Sequence, residues 1–193
     1  LLQACVDGYY ILPNTLNNYL ANQRVDTETS ADFTKAQDQI KEEIDNILNA
    51  KGTKTVDEIH TMLGKIMWQE CAMSRNRTGL EEAIKEIKEI KKLFKTEVIV
   101  TGKSNQLNQE LEKAIRLKDF IELSELMCLD ALNRDESCGA HFREEFQSKE
   151  GEATRNDQEF SYVSAWEYKE GSFNLHKEKL KFEFINPSTR SYA

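Results

Sequence analysis

Leu80, Ala83, Ile84, Ile87, Ile90 and Phe94 recur at three- and four-residue steps. That period lines one face of an α-helix and no face of a β-strand, so the middle of the chain must be helical and must bury that face. Thr78 with Glu81 reads as the capping box that opens the helix. Glu81 and Glu82 at its start, with Lys91, Lys92 and Lys95 at its end, complement the helix dipole.

The flanking segments repeat the pattern. Phe33, Ala36, Ile40, Ile44, Ile47 and Leu48 predict a helix over 31–48, stopped by Asn49, Lys51 and Gly52. Thr55 and Glu58 form a second box, and Val56, Ile59, Leu63, Ile66 and Met67 carry a helix to about Arg75. Val98–Thr101 and Gly102 read as a connector. From Asn105 the stripe Leu107, Leu111, Ala114 and Ile115 opens another helix, apolar on nearly every side between Phe120 and Leu132. A helix without a polar face is covered from more than one direction. The last sixty or so residues switch period: Phe160, Tyr162, Trp166 and Tyr168 alternate, as do Leu180, Phe182 and Phe184, around a loop holding Gly171. These runs predict an antiparallel hairpin with aromatic cross-strand pairs, lying against the bundle or a partner.

At 193 residues the chain supports one core plus appendages. A net charge of -8 argues against a phosphate backbone as partner, which needs clustered Lys and Arg, so no nucleic acid is expected. Lys88, Lys91, Lys92 and Lys95 alternate with Glu86 and Glu89 as a solvated helix face does. The apolar opening Leu1–Leu12 is short, lacks a basic flank and contains Asp7, so neither a signal peptide nor direct membrane insertion is expected. Leu1 in place of Met suggests a piece of a longer polypeptide. Cys5, Cys71, Cys128 and Cys138 show no metal-ligand spacing; the first three sit among apolar residues and read as core thiols in a reducing compartment, and no metal is expected.

The dense polar run is Arg134-Asp135-Glu136-Ser137-Cys138-Gly139-Ala140-His141-Phe142-Arg143. Cys138 and His141 could be a thiol and its base, but no nucleophile elbow or oxyanion motif accompanies them. The plainer reading has Gly139 ending a helix at positive φ while Glu136, Ser137, His141 and Arg143 satisfy backbone groups, with no catalytic residue. His60 follows an inward Ile59 and His176 falls in a loop; neither has ligand partners in sequence.

Glu136-Ser137-x-Gly139-Ala140-His141-x-Arg143-x-Glu145 resembles the E-S-R-G-A-H-x-R-x-D segment of succinate dehydrogenase and fumarate reductase flavoprotein subunits. Asn105–Leu132 resembles that family's last bundle helix, Met67–Arg75 the segment before it, Leu1–Tyr10 the helix after the substrate-binding Arg-Leu-Gly, and Trp166–Tyr192 the long tail of one bacterial branch. The resemblance implies a mainly α fold: a spectrin-repeat-like three-helix bundle with an N-terminal extra helix and a C-terminal β-hairpin or extended tail. Residues 1–25 would be a remnant of the flavin domain, 26–135 the bundle and 136–193 the tail. It also implies FAD and dicarboxylate sites upstream of the chain, no cofactor in the chain itself, Leu1 near the flavin in the intact subunit, and Glu136, Ser137, Gly139, His141 and Arg143 as structural motif residues. The implied partners are the upstream flavin domain and an iron–sulfur subunit. The implied place is the cytoplasmic face of the bacterial membrane, held there peripherally. Cut from its flavin domain, the chain is expected to be inactive and to self-associate through residues 1–20. The sequence departs from the family at Cys138, where relatives carry Arg, and at Arg155-Asn156-Asp157, where Arg-Asp-Asp is usual. A free-standing helical interaction module without redox role is the rival reading.

Overall fold

The structure, a computed structural model, describes residues 2–23, 30–169 and 171–188. The chain divides into two compact units, Leu1–Glu43 and Ile44–Ala193.

The first unit opens with α1 (Leu2–Val6), a π-helical turn (Asp7–Ile11) and α2 (Leu12–Leu20), one unbroken helical run. Pro13 explains the widened turn. It has no N–H to donate and its ring crowds the carbonyl one turn back, so the helix opens by a residue ahead of it. The side chain of Asn14 donates to the Tyr10 carbonyl at 2.7 Å. None of the described residues in the run is buried. Cys5 is therefore exposed, a correction to its reading as a core thiol. The unit also holds the start of α3 (Ala31–Asn49), where Phe33 and Ile40 face outward; of the expected stripe only Ile47 is buried, near the helix end.

The second unit is built on α4 (Val56–Glu70), α5 (Arg77–Glu97) and α6 (Gln109–Asn133). Ile59, Leu63, Leu80, Ile87, Leu117 and Ile121 fill the space between them almost without exposure. Each such side chain contributes roughly 1.5–3 kcal/mol by leaving water. The box at the start of α4 forms: the Glu58 N–H donates to Thr55 Oγ1 at 3.2 Å and the Thr55 N–H to Glu58 Oε2 at 2.7 Å. The box expected at Thr78 does not. Asn76 caps α5 instead, its Oδ1 accepting from the Gly79 N–H at 2.9 Å. Nor does α4 reach Arg75; it stops at Glu70, with Cys71 as its cap. The early stop of α4 has a physical cause. The Arg75 N–H donates to the Phe142 carbonyl at 3.2 Å and the Glu144 N–H to the Arg75 carbonyl at 2.8 Å, so a distant strand of chain claims the backbone that helix would have used.

Asn108 caps α6 through a 3.1 Å bond from the Leu111 N–H, leaving Leu107 outside the helix and exposed rather than on its stripe. Ile121, Ser124, Glu125, Cys128 and Ala131 of α6 face the core while Phe120, Leu123 and Met127 stay exposed. The connector after α5 is more than a link. β1 (Lys54–Thr55) and β2 (Val98–Ile99) pair in parallel, beside a Gly52 whose Cβ, if it had one, would lie 1.9 Å from the Glu97 carbonyl.

After α6 the chain forms a loop, the short α7 (Asp157–Phe160), and the hairpin of β3 (Tyr162–Lys169) and β4 (Ser172–Lys179). The register runs from Lys169↔Ser172 at the turn to Tyr162↔Lys179. Pairing is complete by Lys179, so Leu180, Phe182 and Phe184 lie beyond the strand, a correction; Phe173 and Leu175 face Tyr168 and Trp166 in their place. The Tyr168 and Phe173 rings lie 5.3 Å apart. His176 is a strand residue rather than a loop residue, its Nε2 2.9 Å from Glu167 Oε2. Trp166 Nε1 donates to Asp130 Oδ1 at 2.7 Å, fastening the hairpin to α6. Among the described residues no helix is long and apolar enough to cross a membrane.

Candidate functional site

The polar run after α6 is a loop laid across the α4–α5 link. Cys138 and His141 exchange backbone bonds of 2.8 and 3.0 Å, and Gly139 at φ 60° makes the tight turn between them. That positive φ suits glycine. The turn is not a helix end, since α6 has already stopped at Asn133, which corrects that part of the sequence reading.

Each motif side chain turns inward to backbone or to charge. Ser137 Oγ accepts from the Arg143 N–H at 2.8 Å and donates to the Arg143 carbonyl at 3.1 Å. Glu136 accepts from Arg134 Nε and from the Asn156 N–H, both at 2.8 Å. Arg143 is fully buried: Nη1 donates to the carbonyls of Ala131 at 2.9 Å and Leu132 at 3.3 Å, and Nε to Glu145 Oε2 at 3.1 Å. A cation suits those carbonyls at the end of α6. The guanidinium lies over the Phe146 ring, and its Nη2 has no hydrogen-bond partner among the described residues.

His141 has no lone pair free for Cys138. Its Nε2 lies 3.0 Å from the Arg134 carbonyl, which only a protonated nitrogen can satisfy, so Nδ1 takes the donor from Arg75 Nη1 at 3.1 Å. Burial, followed by the charges of Arg75, Arg143 and Arg134, holds its pKa below the usual imidazole value, against the Arg134 carbonyl bond that favours the cation. Cys138 and His141 are thus not arranged as a nucleophile and its base.

Sequence reasoning missed the residues that tie this loop down. Glu144 accepts from Ser74 and Asn76, Glu145 from the Arg77 N–H, and Arg77 pairs with Asp135. These partners are some sixty to seventy positions apart, and no local spacing signals them. Asn156, where the sequence departs from the usual pattern, gives its backbone N–H to Glu136 and caps α7 with its side chain, whose Oδ1 accepts from the Glu159 N–H at 3.3 Å, and Arg155 still pairs with Asp157. Leu1 lies outside the described residues. Among the described residues no group of three or more His, Cys, Asp or Glu could hold a metal.

The family model described as "Fumarate reductase flavoprotein C-term" matches residues 60–192. The fumarate reductase flavoprotein subunit of Helicobacter pylori is 29% identical over 181 residues, 92% of this chain and 25% of that protein. The corresponding subunit of Proteus vulgaris is 29% identical over 169 residues, 86% of this chain and 27% of that protein. A solved chain of E. coli quinol fumarate reductase superposes with a TM-score of 0.74 at 24% identity, covering 88% of this chain and 28% of that one, and so shares its fold. The chain thus spans about a quarter of the length of the relatives it matches. By the extent of the family match, and by the helical bundle and tail it shares with these proteins, the chain belongs to the fumarate reductase flavoprotein C-terminal family.

Proposed function

We propose that this chain is the scaffolding C-terminal part of a flavoprotein subunit that, when intact, moves a hydride between succinate or fumarate and FAD. The observation that carries this reading is the motif run Glu136–Glu145, inside the family match, whose side chains spend themselves on backbone and neighbouring charges instead of opening onto a cleft. FAD and the dicarboxylate are held by the flavin domain; this part shapes its flank, and Glu136, Ser137, Gly139, His141 and Arg143 keep the tail locked to the bundle. The intact subunit works beside an iron–sulfur subunit, peripheral on the cytoplasmic face of a bacterial membrane. The chain alone is inactive. Flavin absorbance and succinate-dependent dye reduction, measured on the chain and on the intact subunit, test this: both belong to the intact subunit only, and either one in the isolated chain refutes the reading.

The exposed Leu2, Tyr9, Tyr10, Ile11, Leu12, Leu16, Tyr19 and Leu20 give the isolated chain a second property. Contiguous apolar surface of this kind is uncommon on a monomer, so the chain self-associates through residues 1–20. Light scattering over a concentration series, with and without those residues, decides it; a monomer at high concentration overturns it.

A further inference from the structure

Four arginines around the motif loop are matched to carboxylates: Arg77 to Asp135, Arg134 to Glu136, Arg143 to Glu145 and Arg155 to Asp157. Arg75 is not. Its Nε donates to the Ala72 carbonyl at 2.9 Å and its Nη1 to His141 Nδ1 at 3.1 Å; among the described residues it forms no ion pair, and its Nη2 has no hydrogen-bond partner. The nearby Glu144 carboxylate is already taken, by Ser74 Oγ at 2.7 Å and Asn76 Nδ2 at 3.2 Å.

These bonds fix the guanidinium without cancelling its charge. A carboxylate in the place of His141 would orient Arg75 and neutralise it, whereas a neutral imidazole and a peptide carbonyl only orient it. The Arg134 carbonyl on Nε2 holds His141 in the tautomer that does so. Arg75 is half-buried and its Nη2 is not among the enclosed polar atoms, so a pre-oriented, fully charged edge meets the surface. A carboxylate is the acceptor that such an edge selects. The chain beside it is apolar and bare: Trp68, on the last turn of α4, is 80% exposed and Met73, in the α4–α5 link, 87%. Gly139 and Ala140, just before His141, are exposed as well. Trp and Arg are the residues that anchor protein interfaces, and Met is enriched there too.

We propose, on the strength of the scaffolding role above, that the α4–α5 link is a docking surface for the flavin domain of the intact subunit, where a carboxylate side chain meets Arg75 while Trp68 and Met73 are covered. A small free acid would match the charge but would leave the two large apolar side chains wet. With its plane already fixed, Arg75 loses little freedom on docking.

The test uses the intact subunit with Arg75→Lys, which keeps the charge and supplies an amine. A carbodiimide joins that amine to a carboxylate touching it, forming an amide while the reagent takes up the water. Peptide mapping should find residue 75 joined to an Asp or Glu of the flavin domain. In the parent, amides of residues 72–75 and 138–141 should exchange more slowly in the intact subunit than in the isolated chain. Trp68→Ala combined with Met73→Ala should leave the melting temperature of the isolated chain unchanged and lower that of the intact subunit by several degrees; if the Arg75→Lys subunit does not fold, this pair decides. A cross-link confined to residues 1–193 or to a second copy, equal exchange in the two forms, or an unchanged melting temperature in the intact double variant would each overturn the proposal. An intact subunit that holds FAD and turns over yet fails these tests loses the docking surface alone; one without flavin or activity overturns the scaffolding role with it.

Discussion

A single hydroxyl joins Ser137 to both ends of one peptide unit pair: its Oγ accepts from the Arg143 N–H at 2.8 Å and donates to the Arg143 carbonyl at 3.1 Å. Both residues are buried. Ser137→Ala therefore leaves two polar backbone groups without partners, at a cost of about 1–3 kcal/mol. Urea unfolding should show a lower midpoint with an unchanged slope. A midpoint equal to the parent's would show that water replaces the hydroxyl.

His141 and Arg143 should behave as supports. Replacing either with Ala takes the donor from the part-buried carbonyl of Arg134, or from the buried carbonyl of Ala131 and the part-buried one of Leu132, again for about 1–3 kcal/mol. In the intact subunit the melting temperature or yield should fall more than turnover per flavin. Normal stability with turnover abolished would sink this assignment.

Acid should loosen the same loop. An unfolded imidazole takes up its proton near pH 6.5, whereas burial and the neighbouring arginines keep folded His141 neutral to lower pH. Between the two values the unfolded chain binds more protons, so His141's contribution is complete above about pH 6.5 and is lost as the pH falls through the folded value. Glu145 acts in the same sense further down. Burial pushes its carboxyl up, but the Arg77 N–H, its own backbone and Arg143 outweigh that and hold it below 4.5. Thermal melts from pH 8 to 5 should fall less steeply for His141→Asn than for the parent; equal slopes would remove His141 from the account.

At the start of α5 the two candidate caps can be separated. Asn76→Ala should cost about 0.5–2 kcal/mol, while Thr78→Ala, which touches no cap bond, should stay within about 0.5 kcal/mol. The reverse order would restore the cap read from the sequence.

What the sequence made legible was local. The stripe Leu80–Phe94 and the Thr55–Glu58 box rest on contacts three and four residues apart, and both stand in the fold. Thr78–Glu81 carries the same signature and fails, because Asn76 competes for the cap while Glu145 takes the Arg77 N–H. Turn geometry misplaced the second hairpin strand: pairing counts outward from Lys169↔Ser172, so the strand ends at Lys179, and past it the Leu180 N–H makes one more bond, to the Ser161 carbonyl. The motif residues were visible as types, but Arg75 as the partner of His141 was not, since 66 positions separate them.

The small parallel pair of β1 and β2 makes fraying at two helix ends a single event. The first turn of α4 and the last turn of α5 are the parts of those helices that would otherwise melt independently, yet Lys54↔Val98 and Thr55↔Ile99 join their outer ends. With Gly52 seated against Glu97, the clasp turns the α4–α5 segment from an open hairpin into a closed ring of backbone. Opening at either end must then wait for the other, and amide exchange at both should share one rate.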